Sequence, residues 1–492
     1  MHVFFVRCLI AICRKMKKKL FIGITDFEAA FDLISRRNLF KKLIELGISM
    51  IMLRALVEIY RVNLTYVEIN SEYSRTFLMT AGVLQGSATS TILFMAYTAD
   101  LVKLFNDKFP VEDIIHLFHI LLHADDCLIL SECRKLFEEK FQCLGSYCDK
   151  NSIRLQPKKC SFLAINTNEC EDIVLSNGVI KHTNEGLYLG SILSSKGDIN
   201  HEVALEIQQR RKHFNKFFAF LRENYNAPFS VKEKVLEACV SSAVLHNCES
   251  WGNANVKFLE LLYRKSLKYL LGVRTQVCNE FPYVELQKPT LASIILRRQY
   301  IFYMNCTVDK DWPLQRYIIR KALDVKCPYI LHYIKLRENY SSGDEVTEKS
   351  LQKMKDSIME KAMKEKSRYM SYVQLNPNLS RPEIYSRFIA TYKLQKTSQL
   401  RLISHDLKVE TGRHKRPVVP REERLCLCGA IETEEHFLLE CTQYCHIRSK
   451  YNANEYTIES ILNQNFICDY IHELFHCRKI FLDTRLTTGE DP

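Results

Sequence analysis

The chain alternates between short apolar runs of strand character and longer stretches of helical period. In IIHLFHILLHADDCLILSE (114–132) two apolar runs flank a polar step, which predicts strand, tight turn, strand with Asp125 and Asp126 at the tip. FIGIT, within KKKLFIGITDFEAAFD (17–32), predicts a further strand that delivers Asp26 at its carboxyl end. Ser35 to Tyr60 reads as two helical stretches joined at Gly47-Ile48-Ser49, with Leu39, Leu43 and Leu46 on one face. Thr65, Val67 and Ile69 alternate ahead of Phe77 and Met79, so a hairpin turning near Asn70-Ser71 is expected. A helix covers 140–150. The amino-terminal MHVFFVRCLIAIC is apolar, but Arg7 interrupts it and it falls far short of the ~20 residues a membrane span needs. It reads as a helix or strand entering the same domain.

From about residue 196 the pattern turns helical and basic. Residues 191–275 hold 13 Lys and Arg against 8 Asp and Glu, and EIQQRRKHFNKFFAFLRE (206–223) brings Arg210, Arg211, Lys212 and Lys216 together. A solvated helix face is the commonest meaning of such a charge run; a grip on phosphates is the other. Further on, Leu351, Met354, Ile358 and Ala362 recur at helical spacing after a loop and N-cap at Ser341-Ser342-Gly343-Asp344, which predicts a long amphipathic helix used for packing.

At 492 residues the chain exceeds one ordinary core, and about three units of ~150 residues are expected. Its 47% hydrophobic and 26% charged residues exclude a disordered protein. A net charge of +12 suits a polyanionic partner and says nothing of fold. Nineteen cysteines without a convincing signal peptide point to a reducing, intracellular compartment, nucleus or cytoplasm. There is no internal repeat, no low-complexity tract and no segment suited to a membrane.

Two constellations carry chemistry. Asp125 and Asp126 at a hairpin tip could bridge a divalent metal, although Asp pairs in exposed turns usually only cap the turn. The third carboxylate, Asp26, lies 99 residues before Asp125, room enough for helices and a hairpin between neighbouring strands. The second is Cys426-x-Cys428, then His436 and Cys441, within CLCGAIETEEHFLLEC. Three thiolates and an imidazole complete a closed tetrahedral zinc shell, and Gly429 eases the turn after the first pair. The alternative is four buried residues in a Cys-rich chain, with Cys445 and His446 as spare ligands.

Five motifs in order resemble those of non-LTR (LINE-type) retrotransposon reverse transcriptases. Asp26-Phe27-Glu28-Ala29-Ala30-Phe31-Asp32 resembles motif A, and Gly82-Val83-Leu84-Gln85-Gly86-Ser87 motif B. His123-Ala124-Asp125-Asp126 resembles motif C, Leu155-Gln156-Pro157-Lys158-Lys159 motif D, and Tyr188-Leu189-Gly190 motif E. His123 stands where the family usually has Tyr or Phe. The segment around Cys426, with Arg413, Tyr444 and Arg448, is similar to the carboxyl-terminal Cys-Cys-His-Cys knuckle of LINE-type proteins.

The resemblance implies an α+β polymerase palm, an antiparallel sheet with helices, over 1–195 with partial fingers. It implies a helical thumb over 196–275, a helical connector over 276–400, a zinc-knuckle region over 401–460 and a tail over 461–492. It implies RNA-directed DNA synthesis, with Asp26, Asp125 and Asp126 catalytic and Asp26 and Asp125 holding two Mg2+ ions. Phe27, Phe31, Gln85, Gly86 and Lys159 would meet the nucleotide. Phe31 would sit beneath the incoming sugar and Lys159 would donate a proton to pyrophosphate. Tyr188, Leu189 and Gly190 would form the primer grip, Arg210, Arg211, Lys212 and Lys216 would bind nucleic acid, and Cys426, Cys428, His436 and Cys441 would hold Zn2+. Expected partners are an RNA template, a DNA primer or target and deoxynucleoside triphosphates. Read without the resemblance, Phe27 and Phe31 are i,i+4 core partners on a helix after the strand, and Lys159 is a solvated turn residue. Relatives usually carry fingers and an endonuclease upstream of motif A, whereas only 25 residues precede Asp26 here, so a truncated copy is one expectation. Rival functions are a catalytically inactive nucleic-acid-binding remnant and a group II intron maturase, the latter disfavoured by the knuckle.

Overall fold

A computed structural model of the chain describes residues 1–84, 86–115, 118–308, 313–364 and 367–488. The chain divides into two compact units. Residues 1–206, 250–254 and 305–335 make the first, and residues 207–249, 255–304 and 336–492 the second.

The first unit is built on a six-stranded sheet of β1 (Leu20–Thr25), β2 (Ile120–His123), β3 (Asp126–Ser131), β4 (Ser161–Ile165), β5 (Ile173–Leu175) and β6 (Gly178–His182). The spatial order is β5-β6-β4-β1-β3-β2, antiparallel except for the β4–β6 pair. Every residue of β1 is buried, which is why LFIGIT reads as an unbroken apolar run rather than an alternating one. A separate hairpin follows, β7 (Glu185–Tyr188) and β8 (Ser191–Ser194).

Helices α1 (His2–Met16), α2 (Arg36–Glu45), α3 (Met50–Arg61), α4 (Ser90–Lys108) and α5 (Arg134–Lys150) belong to this unit. In α4, Phe94, Tyr97, Leu101 and Phe105 repeat at helical spacing and are all fully buried. Phe137 of α5 stacks on Phe21 of β1 with ring centres 5.4 Å apart. The amino-terminal segment is thus a helix, and its interrupting Arg7 is only 4% exposed. That guanidinium donates to Glu202 Oε2 (3.1 Å), Glu206 Oε1 (2.8 Å), Ser250 Oγ (2.8 Å) and the Ile192 carbonyl (3.1 Å). A buried charge survives only when paired in this way; removing one partner of such a pair costs about 3–5 kcal/mol.

The two helical stretches predicted between Ser35 and Tyr60 are α2 and α3. Leu39 and Leu43 are buried, but Leu46 is 58% exposed. The helix ends at Glu45 and Leu46 occupies its C-cap, where its side chain is left uncovered. The expected hairpin forms as short ladders of Leu64–Thr65 with Phe77–Leu78 and Glu68–Ile69 with Glu72–Tyr73. It turns at Asn70 and Ser71, both at positive φ.

The second unit is mainly helical. At its centre the Glu285 carboxylate is fully buried and accepts four donors: Arg401 Nε (2.5 Å), Tyr385 OH (3.1 Å), Tyr372 OH (3.0 Å) and Asn376 Nδ2 (3.0 Å). The predicted amphipathic helix spans Gly343–Met363, with the Ser342 hydroxyl accepting from Glu345 N and Ile358 fully buried.

Candidate active site and Cys/His cluster

Register brings the three carboxylates together. Thr25, the last residue of β1, pairs with Cys127 and donates its hydroxyl to the Cys127 carbonyl at 3.1 Å, so Asp26 emerges beside the β2–β3 turn. In that turn His123 pairs with Asp126, and Ala124 takes φ 53°, a left-handed conformation that costs a non-glycine residue roughly 1–2 kcal/mol. Burial, then Asp125, then Asp26 raise the Asp126 carboxyl above its ordinary range, with His123 acting the other way. Three like charges in one place create a demand for a cation.

A second clamp fixes Asp26. Its backbone N–H points at Cys160 Sγ (3.4 Å) and its carbonyl accepts from Gln156 N (2.9 Å). The single 3-10 turn Pro157–Lys159 between those residues sets Lys159 Nζ 3.3 Å from Asp26 Oδ2. That oxygen is enclosed and accepts no hydrogen bond, although the side chain as a whole is 37% exposed. Nothing in the sequence singles out Cys160 or Gln156 for this work; only their position beside motif D hints at it.

The residues expected around the nucleotide divide. No helix follows β1: Phe27–Glu28 is a short strand pairing with Arg154–Leu155, and Ala29 turns the chain at φ 45°. Phe27 is 5% exposed with its ring 6.4 Å from Phe94, so it is floor rather than surface. Phe31 is half-buried, 5.3 Å from the same Phe94, and keeps an outward edge. Gly86 lies in an exposed loop, and Gln85 lies outside the described residues. Motif B is stapled to motif A at Gly82, where φ is 78° and a Cβ would meet Asp32 O at 2.7 Å and Phe31 O at 2.8 Å. Arg36, which the sequence does not flag, binds the carbonyls of Tyr60, Met79, Ala81 and Gly82 and so holds that junction.

The β7–β8 hairpin turns at Leu189 (φ 48°) and Gly190 (φ 72°). Gly186 lets it ride against β1, since a Cβ there would lie 2.2 Å from Ile24 Cδ1. Tyr188 is not displayed for contact: it is 1% exposed, and its hydroxyl bonds His2 Nδ1 at 2.9 Å. Of the four basic residues on α6 (Ile199–Glu223), Arg211, Lys212 and Lys216 face solvent. Arg210 does not. It is buried and donates to the carbonyls of Val244 (3.1 Å) and His246 (2.8 Å), which makes it a brace within the second unit.

In the second unit, Cys426, Cys428, His436 and Cys441 place their ligand atoms within 4.8 Å of one another. Cys426 Sγ and Cys441 Sγ are 3.6 Å apart, and Cys428 Sγ is 3.1 Å from His436 Nε2. Ligands at Zn–S ~2.3 Å and Zn–N ~2.0 Å on a tetrahedron stand about 3.5–3.8 Å apart, so the four fit a closed zinc site. Burial pushes the Cys441 thiol up to about 12, so a cation is needed to hold it as thiolate. Gly429, at φ 90°, turns the chain between the first pair and the Leu425–Ile431 bridge. Cys445 and His446 are exposed and stand apart from the cluster.

Buried pairs brace it. Glu432 receives Arg478 twice (2.7 and 2.9 Å), and His405 Nε2 lies 2.9 Å from Glu434 Oε1. Arg448, one of the residues that carry the knuckle resemblance, is 5% exposed and turned toward the Glu440 carbonyl. Arg413 pairs with Glu410 at 2.8 Å.

With this geometry in view, residues 5–193 match the reverse transcriptase (RNA-dependent DNA polymerase) family, so this part of the chain is a reverse transcriptase domain. Its similarity runs toward retrotransposon polymerases. The chain is 23% identical over 207 residues to a retrovirus-related Pol polyprotein from type-1 retrotransposable element R2 of Nasonia vitripennis, over 40% of this chain and 20% of that protein. It is 21% identical over 220 residues to a probable RNA-directed DNA polymerase from transposon BS of Drosophila melanogaster, over 41% and 23% respectively. The chain thus spans about a fifth of the length of these relatives. A solved telomerase from Candida albicans, in complex with a TWJ fragment of telomeric RNA, aligns over 70% of this chain and 53% of its own at 13% identity, TM-score 0.33. No helix among the described residues is long and apolar enough to cross a membrane.

Proposed function

We propose that the chain is the RNA-directed DNA polymerase of a non-LTR retrotransposon, extending a DNA primer on element RNA with deoxynucleoside triphosphates. One observation carries this reading: the Thr25–Cys127 register sets Asp26 beside Asp125 and Asp126. Asp26 and Asp125 would hold two Mg2+ ions, with Asp126 assisting. Such a pair supplies activation of the primer 3′-hydroxyl and charge stabilisation at the leaving pyrophosphate. Lys159, beside Asp26, keeps a proton where the departing phosphate needs one. Phe31, half-buried beside Phe94, excludes a ribose 2′-hydroxyl, and Gln85 and Gly86 meet the nucleotide.

Along the chain the palm covers 1–195, the thumb 196–275, the connector 276–400, the zinc-knuckle region 401–460 and the terminal segment 461–492. Tyr188, Leu189 and Gly190 grip the primer through the hairpin backbone, since the Tyr188 ring is enclosed. Arg211, Lys212 and Lys216 neutralise duplex phosphates, and Zn2+ organises the knuckle. Nineteen free cysteines suit the nucleus or cytoplasm. Primer extension on poly(rA)/oligo(dT) with Mg2+ tests the reading. Extension by the full chain, lost in Asp26→Ala, supports it; template binding without extension would leave a nucleic-acid-binding remnant.

A further inference from the structure

A groove of about 1240 Å³ in the first unit lies beside the candidate active site and touches it through Lys159. Its lining includes Lys159, whose ammonium faces Asp26, and its walls come from the end of α5, the motif D turn and the β5–β6 hairpin. Arg154, Lys158 and Lys181 line it and are exposed. Among the described residues none of these three forms an ion pair with a carboxylate, whereas Lys159 has Asp26. Lys181 is held near motif D because it pairs with Ser161 across the parallel β4–β6 ladder. Arg154 lies across a short ladder from Glu28, and Asp149 is the other carboxylate on the wall, so four cations face two anions.

The lining holds no aromatic ring. A groove that binds single-stranded nucleic acid usually stacks bases on aromatic side chains, each worth ~1–3 kcal/mol. This one offers charge without a stacking platform. It suits phosphate groups whose bases are not read.

We infer that this groove is a polyphosphate path serving the active site, through which the triphosphate tail of an incoming nucleotide is steered and pyrophosphate leaves, with Lys158 and Lys181 as its charged rails. The inference rests on the polymerase reading above. Exposed lysines act here by attraction over a distance, which raises encounter and fades with salt.

The full chain titrated calorimetrically with inorganic tripolyphosphate at low salt, without Mg2+, tests the groove independently of activity. Lys158→Ala/Lys181→Ala should weaken binding by about 3- to 10-fold, the scale of two exposed charge contacts, and the difference should shrink as salt is raised. In primer extension the same variant should raise KM for the deoxynucleotide by a similar factor, with kcat and template–primer affinity little changed. Unchanged tripolyphosphate binding overturns the inference. A variant that loses template–primer affinity while its nucleotide KM stays constant overturns it too, by making the groove a nucleic-acid track. A wild-type chain that binds tripolyphosphate through these lysines but never extends a primer removes the polymerase reading and leaves the anion groove standing.

Discussion

Asp26 and Asp125 stand 99 residues apart and meet because β1 pairs with β3, whereas Cys426, Cys428, His436 and Cys441 come from sixteen consecutive residues. The carboxylates are half-exposed and like-charged; of the thiols, Cys426 and Cys441 are buried. The contrast follows from the ions each set suits. Mg2+ keeps water and substrate phosphates in its shell, so its protein ligands must be few, hard and accessible. Structural zinc is enclosed by four ligands and supplies folding free energy, so its ligands are local and screened. Rigidity therefore lives in different places. In the first unit it lies in the sheet and the Gln156–Cys160 clamp, in the second in buried ion pairs such as Glu432–Arg478.

The largest effect expected is at the carboxylates. Loss of a group that merely supports a metal ligand costs about 10- to 100-fold, so Asp125→Ala, which removes the ligand itself, should lower extension more than about 100-fold. Duplex affinity should change little. Extension at the wild-type rate would end the assignment.

The cluster should respond structurally instead. Native mass spectrometry should find one zinc per chain, absent in Cys441→Ser or after a strong chelator. Metal loss should open residues 426–430 to protease, while the helix over Ile467–Thr488 stays docked, because the Phe437–Phe475 ring contact (4.9 Å) and the Tyr470 hydroxyl on the Leu438 carbonyl need no ion. Arg478→Met should release that helix as well, leaving Glu432 buried and unpaired at a cost of about 3–5 kcal/mol. A protease-resistant, metal-free 426–430 would show that the cysteines merely pack.

The two sites also differ in how far the sequence discloses them. The carboxylate-bearing strands are legible because apolar runs ending in Asp have a period-2 or fully buried signature, and the zinc ligands because their spacing is local. What stays hidden is whichever partner lies far along the chain. Arg7 looks like an interruption until Glu202 and Glu206 appear beside it, and Arg210 looks like a phosphate contact until the Val244 and His246 carbonyls claim it. Tyr188 and Phe27 fail as contact residues for the same reason: a motif fixes where the backbone goes, and tertiary packing decides which side chains remain free. Leu46 shows the local limit, one residue past a helix end.

Phe31 and Phe27 offer a smaller test within the first site. Both rings rest near Phe94, but only Phe31 keeps an edge toward solvent. Phe31→Val should raise ribonucleotide relative to deoxynucleotide incorporation roughly 10-fold, the lower end of what one misfitting group is worth in a pocket. Phe27→Leu should cost stability and leave that ratio alone. If the ratio moves in Phe27→Leu and not in Phe31→Val, the two roles are exchanged.

The smallest effect separates the sites by charge. Burial and the neighbouring Asp125 and Asp26 raise the Asp126 carboxyl, so the folded chain holds that proton more tightly than the unfolded chain does. Stability then declines as pH climbs from the ordinary carboxyl range through the raised value. In EDTA, Asp126→Asn should therefore have a higher Tm than the wild type at neutral pH, with the difference shrinking as pH falls and lost below the ordinary carboxyl range, where the position is uncharged in folded and unfolded chain alike. Cys441, pushed up to about 12, stays protonated across the same range without metal, so Cys441→Ser should show no such pH dependence. Adding Mg2+ should narrow or reverse the Asp126→Asn advantage, because only the wild type then has the full set of carboxylates to offer a cation. A Tm difference that ignores both pH and Mg2+ would place Asp126 outside the crowd of charge at the β2–β3 turn.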